Sequence, residues 1–441
     1  MADVIVRYKG NTIAEMNESG GKTLKTSGKY CEDDIGIEYV KSGGGAIVSK
    51  PELWEGVNFI DYEGTIIETW TPEETASKTE LPTPPTHEYL VNDGWNWTLQ
   101  EIKDYMIECP NAYLNVGARY NTKDWDAYLF VELDKFTLNP TISFSVKGTA
   151  SIDWGDGTTS EVNGTSTKPA DRVDTSHIYA QSGSYVIKIK FVYGYERKIS
   201  IYEIREDDIY FPSIFWSGID YNSSIKYLNA LKSAFFGTVS VETRAFTNAY
   251  GLETVVLGTS TFFVPSATCF SNTKIDTLVI PSCGGSRIDD FIDNPFTKIS
   301  IPAYCNGVIL SGGNCRVRAL AIPVKASVLN LGGVSHKWLS KITIPKNSSL
   351  TSLVMAFQNA QALLSVNVPS KVTNIGVNCF SECTSLEEIH FYPTIPPTVT
   401  NSNAFSGLPT TCKIYVPKDV LTDYRQATNY PDPSVYTYIE E

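Results

Sequence analysis

A short apolar segment that ends in proline recurs seven times between residues 278 and 417, and this repeat constrains the fold more than any other feature. Successive prolines lie 21, 21, 22, 24, 24 and 24 residues apart. A period of this length predicts a solenoid, because each unit can bury its apolar face only by stacking on its neighbours. The prolines that end the segments are Pro281, Pro302, Pro323, Pro345, Pro369, Pro393 and Pro417.

Each repeat predicts one β-strand whose apolar residues face inward at every second position. Ile342 and Ile344 illustrate the pattern, with Lys341 and Thr343 on the opposite side of the strand. Pro345 then ends the strand, because proline has no N–H to donate to a ladder. Phenylalanines that follow a small residue later in the unit are predicted to close the core opposite the strands: Phe246, Phe270, Phe357, Phe380 and Phe405.

The segment CFSECTSLEEI, which begins at Cys379, resembles the BspA-like leucine-rich repeat, a bacterial and phage variant of the leucine-rich-repeat family. The resemblance covers roughly residues 225–417, and it implies a leucine-rich-repeat solenoid, which we place at residues 207–417. Residues 418–441 predict a helical cap over the last coil, as a solenoid requires. The residues of this cap that are expected to face the coil are Val420, Leu421 and Tyr424.

Residues 1–44 predict a β-rich leader with too few apolar positions to make a core alone, which favours oligomerisation. The strings YKGNTIAE, from Tyr8, and KTLKTSGKYC, from Lys22, resemble the N-terminal leader of tail and fibre proteins of phages and prophages of Gram-positive gut bacteria. That resemblance implies a virion-attachment segment whose partners are other virion proteins. It also implies a homo-oligomer, with a trimer favoured.

Residues 45–117 predict a small α+β module with a hairpin that turns at Gly64. Thr71 and Thr98 each begin a predicted helix with a capping box. The strings DYEGT and GWNW in this module resemble β-grasp-like modules of bacterial surface repeats. Trp95 and Trp97 have two possible roles, stacking on sugars or capping a small core, and the second is favoured.

Residues 118–206 predict a β-sandwich, because clean alternation of apolar residues surrounds the turn Trp-Gly-Asp-Gly at Trp154. This turn, together with His177, resembles the polycystic-kidney-disease (PKD) domain, an immunoglobulin-like spacer. Asp153 and Asp156 have two open roles, calcium binding or hydrogen bonding to their own turn, and the second is favoured. The predicted fold class of the whole chain is therefore mainly β and multi-domain.

The composition argues against several classes of partner. A net charge of −13 argues against nucleic acid, and the absence of a long apolar run argues against membrane insertion. The N-terminal sequence does not resemble a secretory signal peptide, so we expect synthesis in the host cytoplasm and a final location in the virion. The nine cysteines favour buried free thiols over disulfides or a zinc site.

A search for catalytic or metal-binding motifs predicts that the protein is not an enzyme. The four histidines, His87, His177, His336 and His390, have no metal-ligand or catalytic spacing. We therefore predict no cofactor, no metal site and no catalytic residue. A carboxylate pair brought together from distant modules stays open, because carboxylate separation is a property of the structure.

Binding is the favoured activity, because a ladder of strands displays its outward residues as an array. The array combines polar side chains with one aromatic ring, which suits a glycan or a protein receptor on a bacterial surface. At any single position an ordinary solvated strand residue is the favoured explanation, and only the row as a whole favours binding. The predicted ligand-binding residues are Lys341, Thr343, Ser365, Asn367, Glu388, His390, Lys413 and Tyr415.

These patterns together favour a phage or prophage tail or fibre protein that acts as a host-surface adhesin through its solenoid. Two alternatives stay open. One is a structural or decoration protein of the virion that has no receptor of its own. The other is a bacterial cell-surface adhesin, which the absence of a recognisable signal peptide disfavours.

Overall fold

The computed structural model divides the chain into two compact units, residues 1–55 and residues 56–441. Parts of the predicted leader, and His336, lie outside the described residues. The structure describes residues 6–8, 11–14, 28–32, 35–42, 45–48, 55–166, 173–193, 213–216, 229–237, 240–241, 246, 248–258, 262–263, 270, 272–281, 287–288, 296–309, 316–331 and 338–441.

The described residues of the first unit form five short strands. Strands β1 (Val6–Tyr8) and β2 (Asn11–Ala14) form an antiparallel pair. Strands β3 (Gly28–Glu32), β4 (Ile35–Ser42) and β5 (Gly45–Val48) form a three-stranded antiparallel sheet. The β-rich character predicted for the leader therefore holds in its described strands.

The second unit begins with a small module, residues 56–122, in which a four-stranded sheet packs against two helices. The strand order is β7-β6-β9-β8, with β6 and β9 parallel at the centre, which is a β-grasp-like arrangement. Thr71 and Thr98 cap their helices with complete capping boxes, as predicted. The elements are β6 (Gly56–Ile60), β7 (Ile66–Trp70), α1 (Pro72–Ser77), β8 (Leu90–Trp95), α2 (Leu99–Glu108) and β9 (Tyr113–Thr122).

The next segment is built around one long strand, β11, which two sheets share. The first part of β11 pairs with β13 and β15, and its second part pairs with β12 and β14. Trp154, Phe144 and Ile189 are fully or almost fully buried in the core between these strands. The strands are β10 (Ala127–Leu133), β11 (Thr141–Asp153), β12 (Thr159–Ser166), β13 (Val173–Ser176), β14 (Gly183–Tyr193) and β15 (Ser213–Trp216).

Both sheets of this segment continue into the solenoid. On one side, β10 pairs with β16 (Leu231–Phe236), which pairs in parallel with β18 (Thr254–Leu257). On the other side, β15 pairs in parallel with β17 (Ser240–Val241), which pairs with β19 (Phe262–Phe263). The segment that was expected to be a spacer thus caps the first coil of the solenoid and satisfies its edge strands.

From β20 to β32 the solenoid makes about seven turns, whose front and back strands pair in parallel, which confirms the predicted fold class. The further front strands are β20 (Thr277–Val279), β22 (Lys298–Ser300), β24 (Ala319–Ala321), β26 (Lys341–Thr343), β28 (Ser365–Val368), β30 (Glu388–Phe391), β32 (Lys413–Val416) and β33 (Thr437–Glu440). The further back strands are β21 (Arg287–Ile288), β23 (Gly307–Ile309), β25 (Val328–Asn330), β27 (Ser352–Leu353), β29 (Asn374–Ile375) and β31 (Thr398–Val399).

The solenoid core agrees with the predicted periodicity. Inward residues of successive front strands are buried, and the predicted phenylalanines stack behind them. The ring centroids of Phe357 and Phe380 lie 5.3 Å apart, and those of Phe380 and Phe405 also lie 5.3 Å apart. Cys379 and Cys383 are buried free thiols, as predicted.

The last coil is covered by helix α3 (Leu421–Gln426) and by β33, which pairs in parallel with β32. Tyr424 of α3 is fully buried, and its hydroxyl donates to the carbonyl of Pro393 at 2.7 Å. Val420 and Leu421 are partly buried against the same core. The predicted cap therefore has its tyrosine at the centre of the contact.

Candidate binding face

The outward side chains of the front strands form a surface that we call the front face. Strand register within each paired set, and the equivalent position in each repeat between the sets, arrange them in two columns. The first column contains Thr277, Lys298, Ala319, Lys341, Ser365, Glu388, Lys413 and Thr437. The second column contains Val279, Ser300, Ala321, Thr343, Asn367, His390, Tyr415 and Ile439.

The module of residues 56–122 covers the first part of the front face, through β24, which we call the covered half. Strand β9 runs across β16, β18, β20, β22 and β24. Val279 and Ser300 are 6% and 0% exposed although they point away from the solenoid core. Gly117 of β9 allows this approach, because a Cβ there would lie 2.4 Å from Val279 Cγ1.

Hydrogen bonds fix the module on the covered half. The side-chain amide of Asn96 donates to the carbonyl of Ile280 at 2.9 Å, and the indole N–H of Trp97 donates to the carbonyl of Ile301 at 2.7 Å. At the end of α2, Glu108 accepts from the backbone N–H of Asn347 at 2.9 Å. Trp97 is 3% exposed, so it has the structural role that the sequence favoured.

These contacts correct one expectation from the sequence. The expectation that the ladder of strands displays its outward residues as an array is wrong for the covered half. Several outward positions there are apolar or small, as Val256, Val279, Ala319 and Ala321 show, and this was the signal that sequence reasoning missed. Apolar residues at outward positions indicate a covered face, because an exposed contiguous apolar strip is rare on a monomer.

The remaining front strands, β26 to β33, form what we call the open half, and all eight predicted residues lie on it. Ser365 and Lys413 are exposed, and the other six are partly exposed. Their strand register and their exposure agree with the predicted outward orientation. Their role in binding stays a prediction.

His390 is the centre of a polar network on the open half. Its Nδ1 lies 3.0 Å from Oε2 of Glu441, and its Nε2 lies 3.4 Å from Oε2 of Glu388. The hydroxyl of Tyr415 donates to Oε1 of Glu388 at 3.2 Å. Burial and then the charge of Glu388 raise the pKa of Tyr415 above its ordinary value, so its hydroxyl keeps its proton at neutral pH.

The rings of His390 and Tyr415 stack on each other, with centroids 4.4 Å apart and planes within 5°. One face of Tyr415 is therefore occupied by the imidazole and is closed to a ligand. A ligand could therefore stack only on the face of the Tyr415 ring that points away from His390. Polar edges and hydroxyl groups, rather than a broad aromatic platform, dominate the open half.

Tyr392, which follows β30, and Lys346, which follows β26, lie at one end of the open half. The ammonium of Lys346 lies 4.2 Å from the centroid of the Tyr392 ring, in a cation–π contact. Burial, the carboxylate of Glu441 and the thiol of Cys109 raise the pKa of Tyr392 to about 12. Because Cys109 follows α2, the module forms a wall at one end of the open half.

Asp153 and Asp156 accept hydrogen bonds from backbone N–H groups of the Trp-Gly-Asp-Gly turn, which is the role that the sequence favoured over calcium binding. Asp153 accepts from the N–H of Gly155 at 2.9 Å, and Asp156 accepts from the N–H of Thr158 at 3.0 Å. Partial burial would raise the pKa of Asp156, but hydrogen bonds from Thr158 and His177 outweigh it and lower the pKa to about 2. Throughout the part of the chain that the structure describes, no group of three or more His, Cys, Asp or Glu side chains is placed to hold a metal ion.

Among the described residues, no helix is both long enough and apolar enough to cross a lipid bilayer.

Comparison with known proteins bears on the solenoid. Residues 314–428 match the family model described as the BspA type leucine rich repeat region, in six copies. The crystal structure of a leucine-rich repeat protein from Bacteroides ovatus is similar over 48% of this chain and 66% of that protein, just under two thirds, with 18% identity and a TM-score of 0.25. No curated protein matches the chain. The family match confirms the predicted BspA-like repeats within residues 314–428.

Proposed function

We propose that this leucine-rich-repeat protein is a non-enzymatic adhesin that binds a receptor on a bacterial surface through the open half. The observation that carries the proposal is the contrast along the front face. Outward positions are sealed by the module as far as Ala321, even where they are polar as at Lys298 and Ser300, and from Lys341 to Tyr415 they are polar and accessible. A polar array on a rigid ladder suits recognition, because its side chains are already held in place.

The proposed carrier is a phage or prophage particle, on which the chain acts as a tail or fibre protein. The resemblance of residues 1–44 to virion-attachment leaders supports this part of the proposal. In this arrangement the first unit joins other virion proteins as an oligomer, and the open half contacts the receptor, a surface glycan or a surface protein.

The direct test is binding of the labelled full-length chain to a panel of gut bacterial strains. Asn367→Arg places a long charged side chain on the open half, and Thr398→Arg places the same side chain on the exposed back strand β31. We expect binding to at least one strain, a loss of at least tenfold with Asn367→Arg and no loss with Thr398→Arg. Absence of binding to every strain, or equal binding by the two variants, would contradict the proposal.

A second candidate function is a structural or decoration role in the virion. The observation that favours it is the docking of residues 56–122 on the covered half, because there the front face already serves packing within the chain. Electron microscopy of particles that carry a label on the chain separates the two functions. A peripheral label favours the adhesin, whereas a label between other subunits favours the structural role.

A further inference from the structure

The middle of the solenoid carries a local excess of positive charge in a chain whose net charge is −13. From Asn294 to Ser381 the sequence contains eight lysine or arginine residues and no aspartate or glutamate. Distant surface carboxylates do not neutralise this region, because the Debye length is about 8 Å at physiological ionic strength. The eight basic residues are Lys298, Arg316, Arg318, Lys325, Lys337, Lys341, Lys346 and Lys371.

Three of these residues form a row along one edge of the solenoid. They are exposed, and they lie in the turns that follow the front strands β24, β26 and β28. The turns stack on each other, because the N–H of Ser349 donates to the carbonyl of Val324 at 2.9 Å and the N–H of Ser370 donates to that of Lys346 at 3.0 Å. We call this set the lysine row, and its members are Lys325, Lys346 and Lys371.

The ammonium groups of the lysine row keep most of their capacity to donate hydrogen bonds. Lys371 donates to the carbonyl of Asn347 at 3.3 Å, and the ammonium of Lys346 lies 4.2 Å from the centroid of the Tyr392 ring. Among the described residues, no carboxylate oxygen lies within 4.0 Å of any of the three ammonium groups. Because an ammonium group carries three donors, at least two donors of each remain available to a ligand.

The carboxylates near this edge already have partners on the protein. Glu108 of α2 accepts from the N–H of Asn347, in the turn that also contains Lys346. Glu441, whose charge acts on Tyr392, bonds to the imidazole of His390. The positive charge of the lysine row is therefore not cancelled by an ion pair to either of these side chains.

A line of ammonium groups favours a linear anionic ligand. Lysine attracts phosphate or carboxylate as a point charge on a flexible stem, so each ammonium can follow the spacing of the ligand's anionic groups. The row also has defined ends, because the turn after β22 presents Tyr304 and the turn after β30 presents Ile395. After β32, Lys418 is followed directly by Asp419. A chain that lies along three turns meets all three charges, whereas a flat anionic surface also meets uncharged neighbours.

Going beyond the proposed function, we infer that the lysine row binds a linear anionic surface polymer in which phosphodiester or carboxylate groups repeat. Successive anionic groups of the polymer accept hydrogen bonds from Lys325, Lys346 and Lys371. This site lies in the turns and not on the front face, so it acts in addition to the open half, and the adhesin proposal does not depend on it.

The test measures binding of the full-length chain to three labelled polymers: poly(glycerol phosphate), polygalacturonate and uncharged dextran. The triple variant Lys325→Gln, Lys346→Gln, Lys371→Gln removes the charge of the row. Its matched control, Lys135→Gln, Lys147→Gln, Lys274→Gln, changes the net charge equally at exposed positions elsewhere. We expect an anionic polymer to bind, dextran not to bind, and the row variant alone to weaken binding by about tenfold or more. Raising the ionic strength from about 0.15 M to about 1 M is expected to weaken wild-type binding through screening.

Each outcome decides the inference. Binding to the phosphate polymer, the carboxylate polymer or both, lost in the row variant alone, supports it and identifies the anionic group. Absence of binding to both anionic polymers overturns it, as does an equal loss in the two variants. Binding only to anionic lipid vesicles or to DNA assigns the row to another partner and also overturns it. Thermal unfolding verifies that each variant is folded. A negative result leaves the adhesin proposal intact, because its own test changes Asn367 on the open half.

Discussion

The two halves of the front face share one backbone geometry and differ in what their outward residues do. In the covered half, Val279 and Ser300 are buried by strand β9 of the preceding module. In the open half, Asn367 and His390 occupy the same column and stay accessible. The comparison teaches that the repeat alone does not define a binding surface, because the same ladder serves internal packing at one end and is left free at the other.

The largest expected effect comes from placing a charge at matched positions of the second column. Val279→Asp buries a carboxylate without a partner, and we expect it to lower the free energy of unfolding by about 3 kcal/mol or more. Asn367→Asp, at the equivalent open position, is expected to change it by less than about 0.5 kcal/mol. Denaturant unfolding of the full-length chain measures both. Equal effects would show that the two positions have the same environment.

A second comparison uses lysines of the first column. Lys298→Met removes the donor to Gly64 and leaves its carbonyl without that bond, so we expect a loss of about 1.5–3 kcal/mol. Lys413→Met removes an exposed ammonium, and we expect a change within about 0.5 kcal/mol. The same unfolding measurement applies. A large effect of Lys413→Met would contradict its assignment to an open surface.

A third, somewhat smaller effect tests the close approach of β9. Gly117→Ala places a methyl group 2.4 Å from Val279 Cγ1, and the resulting overpacking is expected to cost about 1–3 kcal/mol. Gly183→Ala is the matched control, because its new methyl group meets the ring of Tyr185 no closer than 3.5 Å, an ordinary contact. Thermal unfolding compares the two variants. A Gly117→Ala protein as stable as the wild type would show that the module does not pack closely on the solenoid.

The smallest expected effect concerns alkaline pH. Burial raises the pKa of Tyr105, which lies between the module and the solenoid, well above its ordinary value. A raised folded-state pKa contributes stability that is complete below the unfolded value of about 10 and is lost as pH rises above it. We therefore expect wild-type stability to fall more steeply above pH 10 than that of Tyr105→Phe, by up to about 1.4 kcal/mol per pH unit. Parallel slopes would contradict a buried position for this hydroxyl.

Much of the fold follows from local signals in the sequence. The proline-terminated repeat predicted the inward residues of the front strands from β20 to β32, because period-two alternation and the loss of an N–H act within a few residues. The capping boxes at Thr71 and Thr98 predicted both helix starts for the same reason. The predicted residues from Lys341 to Tyr415 point outward because they alternate with buried positions.

What the sequence did not predict depends on contacts between distant segments. Gly117 meets Val279, and Asn96 meets Ile280, across more than a hundred residues, and no local pattern pairs them. The pairing of β10 with β16 was not predicted. Strand β16 does not end in proline, so the repeat pattern did not identify it as a front strand. The stack of His390 on Tyr415 follows from the register in which β30 pairs with β32. The spacing of the two repeats was enough to predict this register, but the sequence analysis did not derive it.

The most direct test of the divided front face is hydroxyl-radical footprinting of the folded full-length chain. The account predicts protection of Phe235 and Val279, which point outward beneath the module, and modification of His390 and Tyr415 on the open half. Modification of Phe235 and Val279 at the rate of exposed side chains would contradict it, because the front face would then be open along its whole length.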